Sequence, residues 1–221
     1  TRMLNRIFFL GDAFVAMGFK QAQEKAHLTI EICDKNMVKK KEIYSYEVIK
    51  GKDAKLLDKT FSFNTEGNRV FLAKGRNFEI DVIDANGKVL EHFKHDYKRE
   101  KMTRAHKDRI VRWYKTNPVT RAFADQIINS LVYPTHFPAI RDFRVSGGVL
   151  YVQTYKQKDG KTEFYVIDAK EGKKAKLLKQ IPLKIHRDNP IEEMQYFTIE
   201  NGKLYQLIES DEGWELEISK I

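Results

Sequence analysis

Apolar residues along this chain fall at every second position or in short runs, and seldom keep a helical spacing. Segments such as RIFFL, RVFLA, FEIDVID, VLYVQTY, EFYVID and KLYQLI are dominated by Val, Ile, Leu, Phe and Tyr. Side chains of this kind pack well on a pleated, half-buried surface, so the pattern predicts short β-strands. Tight turns separate them. Glu66-Gly67-Asn68, Asn86-Gly87, Ser146-Gly147-Gly148 and Asn201-Gly202 are predicted hairpin turns, because a positive φ is easy for Gly and tolerable for Asn.

The strands recur as a unit: strand, Gly-containing turn, strand, polar loop, a third strand ending in Asp, turn, fourth strand. Copies are read at about 4–46, 61–93, 139–183 and 194–221, the second and third being the clearest. Asp34, Asp84 and Asp168 hold the same place just after the third strand. Equivalence across repeats points to side chains that bond turn amides rather than to a metal or acid–base set. Setting aside residues 94–138 leaves 176 residues, or 44 for each of four units. Four-stranded units of that period are the signature of a β-propeller, so the expected fold class is all-β. The last unit has a third strand at Trp214–Ile218 and three residues after it, too few for a fourth strand. An open ring exposes edge strands, and the expectation is therefore a C-terminal run of blades from a longer propeller, with N-terminal blades outside this chain.

Residues 98–134 break the period-two pattern. Thr103 is a predicted N-cap for a helix to about Lys115, with Ile110, Trp113 and Tyr114 at helical spacing. Asn117-Pro118 predicts a second start, followed by an apolar stripe of Thr120, Phe123, Ala124, Ile127, Ile128 and Leu131 that ends at Pro134. The stripe is expected to pack on the propeller. By its place between a fourth strand and the next first strand, this helical hairpin belongs beside one mouth of the ring, where ligands favour concave surfaces.

At this point the residues resemble a known group. YPTHFPAIRDFRVSGGVLYVQTYKQKDGKTEFYVID (133–168), FEIDVIDANGK (78–88), Thr116-Asn117-Pro118 and the ending NGKLYQLIESDEGWELEI are similar to bacterial six-bladed β-propeller proteins of the NHL/TolB-like group. The resemblance implies six blades where four units stand here, and an exported, envelope location. It brings no defined catalytic motif.

Charge adds one feature. Forty Lys and Arg against 31 Asp and Glu give +9, and the stretch from Lys94 to Lys115 alone carries nine basic and three acidic residues. That balance favours an acidic partner. Hydrophobic residues make up 42% and charged residues 32% of the 221, which suits a packed domain. No apolar run reaches the ~18 residues of a spanning helix. Cys33, the lone cysteine, rules out an internal disulfide.

No phosphate-binding, nucleotide-binding, nucleophile-elbow or zinc-protease motif is present. His92 and His95, three apart on a strand, point to opposite faces and do not make a metal pair. His27 and His106 read as surface residues. The candidate binding residues are His136 and Arg141, where the insertion re-enters the ring, and Arg109, Arg112, Trp113 and Tyr114 on its first helix. Arg141 is expected either to face the channel as an anion donor or to pair with an Asp on a neighbouring strand. No cofactor is implied. The leading expectation is a non-enzymatic binding or scaffold propeller that presents its insertion-bearing face to a protein, peptide or glycan. A hydrolase or lyase with a site at the channel mouth is the first alternative, and nucleic-acid binding through the basic insertion the second.

Overall fold

The computed structural model describes residues 2–22, 25–48, 56–57, 61–186, 191, 196–210 and 212–221. Strands β1 (Arg2–Leu10), β2 (Ala13–Ala22), β3 (Lys25–Cys33) and β4 (Lys39–Val48) form the first blade. Strands β5 (Phe61–Glu66), β6 (Arg69–Lys74), β7 (Phe78–Asp84) and β8 (Val89–His95) form the second. The third comprises β9 (Asp142–Ser146), β10 (Val149–Lys158), β11 (Lys161–Asp168) and β12 (Lys176–Leu183). The fourth has, among the described residues, three strands, β13 (Phe197–Glu200), β14 (Lys203–Ser210) and β15 (Gly213–Lys220). All four sheets are antiparallel meanders, and β1, β5, β9 and β13 are successive neighbours, so the blades follow one another in propeller order.

The turns obey the chemistry read from the sequence. Gly67, Gly87, Gly147, Gly148, Asn201 and Gly202 all have positive φ. Asp34 accepts the amides of Asn36 and Val38 at 2.9 Å, and Asp84 those of Asn86 and Lys88 at 2.9 and 2.8 Å. Asp168 accepts the amide of Lys170. The three carboxylates are turn formers, each tying the loop between third and fourth strands.

Because side chains alternate along a strand, each blade has one face toward its predecessor and one toward its successor. Leu28, Ile30 and Ile32 of blade 1 meet Phe63, Val70 and Leu72 of blade 2. Phe78, Ile80 and Val82 of blade 2 meet Phe143, Leu150 and Val152 of blade 3. Phe164 and Val166 of blade 3 meet Phe197, Ile199 and Leu204 of blade 4. Polar bonds at the inner strands and turns lock the same interfaces. Ser62 donates to Asp142 at 2.6 Å, Gly148 N–H to Glu66 at 2.8 Å, and Arg144 Nε to the Phe197 carbonyl at 3.2 Å. Cys33 is fully buried in blade 1.

The insertion follows β8. Helix α1 (Arg104–Thr116) starts at Thr103, as the sequence predicts. The second helix is shorter than its stripe suggests. Asn117 ends α1 with extended backbone and its side chain accepts the Val119 amide, so a turn occupies 117–120. A 3-10 turn at Arg121–Phe123 then leads into α2 (Ala124–Ser130), a helix of only 7 residues. The local Asn bond and the β-branched Val119 and Thr120 favour a turn over continued helix. Of the predicted stripe, Ala124 is buried and Leu131 reaches the insertion's core, whereas Phe123 faces outward at 62% exposure.

Candidate functional site

The base of the insertion is pinned before either helix begins. Lys101 pairs with His136 as an isolated antiparallel bridge, and Met102 N–H donates to the Thr135 carbonyl. The two ends of the excursion are therefore side by side, and everything from 103 to 134 projects from that clasp.

Three buried side chains fasten it: Met102, Ile110 from α1 and Phe137. Phe137 stacks on Tyr155 of β10, ring centroids 4.6 Å apart and planes 16° apart, and takes the edge of His106 at 5.0 Å. Burial pushes the Tyr155 hydroxyl up to about 12, against the opposing pull of the Arg141 charge. Arg109 donates to Gln157 Oε1 at 3.0 Å, bridging α1 to the end of β10 near the β10–β11 turn. Burial also holds its guanidinium below the usual arginine range. The insertion thus lies at the end of blade 3 where the second and third strands are joined.

His106 has a role the sequence does not announce. It is the N3 residue of α1, and its Nδ1 accepts the Thr103 amide at 3.1 Å while Thr103 Oγ1 accepts the His106 amide. This is a capping box with histidine where glutamate or glutamine usually stands. Burial, then the Arg109 charge, lowers its pKa and keeps Nδ1 available as an acceptor. The expectation of a plain surface histidine is corrected: half-buried against Phe137, it helps to start the helix.

Of the six predicted binding residues, Arg109 and Tyr114 face the propeller side, Tyr114 packing against the insertion core. Trp113 is half-buried with its ring edge-to-face against Tyr114 at 5.1 Å, and Arg112 is exposed. His136 is half-buried in the clasp beside Thr135. Arg141 lies over the Tyr155 ring with its N–H bonded to the Gln153 carbonyl. With Ser62, Lys74 and Asn77 it lines a polar cavity of about 40 Å³ between blades 2 and 3, room for a water molecule rather than an organic ligand. Its neighbour Arg144 meets Asp142 of the same strand at 2.7 Å. The six therefore do not converge on one pocket.

His92 and His95 do separate. His92 Nδ1 meets Asp81 at 2.6 Å, whereas His95 packs between the rings of Phe78 and Tyr165. Burial alone would raise Asp81, but bonds from Lys74 and His92 outweigh it and hold the carboxyl below its usual range. Among the described residues no group of three or more His, Cys, Asp or Glu is placed to share a metal ion, and no helix is long and apolar enough to cross a membrane.

The feature that sequence reasoning missed is on the outward side of the insertion. Val119 and Phe123 are 82% and 62% exposed, and Arg112, Lys115 and Arg121 on the same excursion are exposed as well. Helical periodicity put Phe123 inside; the asparagine turn rotates it out. No protein-family model matches the chain, and no curated protein sequence is significantly similar to it.

Proposed function

We propose that this chain is a non-enzymatic binding propeller whose insertion is a docking platform for another protein. The observation that carries the reading is the two-sidedness of the insertion. Its inner side is clamped to blade 3 through Phe137, Ile110 and Arg109, while Val119 and Phe123 stand exposed on an excursion that also exposes Arg112, Arg121 and Lys115, the last paired with Asp125 at 3.4 Å. Large apolar side chains held in water beside arginines have the composition of an interface core rather than of an idle surface. A partner with an apolar patch ringed by carboxylates fits that chemistry. In the same reading the four blades are part of a six-bladed ring in an exported bacterial protein, which agrees with the exposed Ile7 and Phe9 on the open side of blade 1.

The test places a photo-crosslinking residue at Arg121 and captures partners from a cell-envelope extract, then repeats it in a Val119→Asp, Phe123→Asp background. A specific partner, competed by unlabelled protein and lost in the double variant, supports the reading. Capture that is absent, or unchanged by the two aspartates in a protein with native circular dichroism, overturns it. A nucleic-acid ligand at the same basic surface has its own signature, an affinity that falls steeply with salt.

A further inference from the structure

The loop after the third strand differs between blades. From the turn aspartate to the fourth strand it runs over residues 35–38 in blade 1 and 85–88 in blade 2, but over 169–175 in blade 3. The longer loop is fastened to blade 2 at both ends. Ala169 and Ala175 are buried in the core that blades 2 and 3 share. Arg69 donates to the Ala169 carbonyl at 2.6 Å, and the Ala175 amide donates to Glu91 Oε1 at 2.5 Å.

Between the middle of this loop and β8 lies a cleft of about 490 Å³, the size of a small-molecule site. Its lining is divided by chemistry. Val82 and Leu90 give it an apolar side. Leu90 is there because β8 carries a bulge: Glu91 pairs with Val82 and Val89 with Ile83, which leaves Leu90 as the extra residue, 52% exposed. Lys170, Lys173 and Lys174 give it a cationic side, with the largely buried Arg69 beside them. All three lysines are exposed, and among the described residues none is engaged in an ion pair. Two carboxylates also line the cleft, Glu171 and the Glu91 that holds the Ala175 amide. His92 lines it too, its Nδ1 taken up by Asp81 at 2.6 Å.

Between blades 1 and 2 the same place is filled. Lys41 pairs with Ile32 as Glu91 does with Val82, and its stem lies with Ile43 directly against Gly87 of the shorter loop. The cleft thus comes from the lengthened loop rather than from the repeat.

We propose that this cleft binds a phosphate monoester with an apolar body, the anionic group held by Lys170, Lys173 and Lys174 and the apolar part lying on Leu90 and Val82. Ammonium groups on flexible stems suit a compact anion of more than one charge. Four permanent cations against two carboxylates leave the lining with two positive charges, which matches a monoester near neutral pH better than a single carboxylate. The loop joins third to fourth strands, so the cleft stands at the opposite end of the blades from the insertion, and neither reading depends on the other.

Naphthyl phosphate is the probe, titrated near neutral pH into isotope-labelled protein while amide shifts are followed over 169–175 and 89–92. Saturable shifts confined to those segments are expected. Naphthol, the same ring without the charge, and inorganic phosphate, the charge without the ring, should each bind about tenfold more weakly or worse. Lys173→Glu, Lys174→Glu protein should lose about tenfold in affinity, and Leu90→Asn about fivefold, both keeping a native spectrum elsewhere. No saturable shift at the cleft, naphthol binding as tightly as its phosphate, or unchanged affinity in the charge-reversed protein overturns the site. Inorganic phosphate binding as tightly, or unchanged affinity in Leu90→Asn, overturns its apolar half. Vesicles of phosphatidylcholine doped with phosphatidic acid locate the ester: co-sedimentation that the charge-reversed protein loses assigns it to a lipid, and any other result assigns it to a soluble molecule.

Discussion

Phe137 is where the insertion and the ring hold each other, and its removal has a calculable effect. It is 1% exposed and contacts a stacked ring on one side and an imidazole edge on the other. Truncating a fully buried Phe to Ala costs about 3–5 kcal/mol, the loss of transfer energy plus the cavity left behind. Here the cavity lies between two bodies, α1 with its clasp and β10 of blade 3, so the cost falls on their docking. Amide exchange separates that from global unfolding. If exchange follows the local opening equilibrium, Phe137→Ala should speed exchange in 104–116 by about 10²- to 4 × 10³-fold at 1.4 kcal/mol per decade, while the amides of β6 and β7 keep their protection. Phe137→Leu, which keeps most of the volume, should speed exchange by only about twofold if stacking is unimportant; an acceleration of about tenfold or more assigns energy to the Tyr155 ring itself. Equal acceleration across the insertion and all blades, or none in α1, would refute the idea that Phe137 is a docking residue.

Other expectations follow from the same structure. His106 has a folded pKa below its ordinary 6.5, so its capping contribution is complete above pH 6.5 and is lost as pH falls through the depressed value; α1 amides should exchange faster there, and His106→Gln should abolish that pH dependence while keeping the helix. Asp81, held below its ordinary 3.8 by Lys74 and His92, contributes stability that is full above pH 3.8 and lost as pH falls through its depressed pKa; urea unfolding of Asp81→Asn should therefore depend less on pH in that acid range. Gly148 has φ +73°, and an added Cβ would stand 3.0 Å from the Lys170 Cα, so Gly148→Ala should destabilise by about 1–3 kcal/mol in the same assay. Asp84→Ala removes an acceptor shared by two turn amides and should cost ~1 kcal/mol, whereas a metal-binding role would show as a chelator-sensitive melting temperature.

Much of this architecture is legible in the residues because it is repeated. FEIDVID and EFYVID announce the same strand twice, and the Asp that closes each makes the same two-residue reach into its turn. Gly and Asn at the hairpins fix where the chain reverses, and the alternation between turns fixes which face is apolar. The insertion is read less well, since its outcome depends on competing local bonds. Asn117 favours capping the end of α1 over starting a long second helix, and that choice moves Phe123 from the inside to the outside. The neighbouring arginines show the same limit: the alternation at 140–145 is ambiguous in phase, and only the folded chain shows Arg144 beside Asp142 and Arg141 over the Tyr155 ring. His106 was hidden for a different reason, as histidine is not the residue expected at the third position of a capping box.

If the insertion, clamped by its inner side, carries the binding surface, removing it abolishes binding and leaves the blades folded. Because the Lys101–His136 bridge holds the two ends together, residues 103–134 can be replaced by an Asn-Gly turn without pulling the blades apart. Partner capture is then compared between the shortened and intact proteins. The shortened protein should keep its β-sheet circular dichroism and a cooperative melt but recover no partner. Undiminished capture by the shortened protein would contradict it.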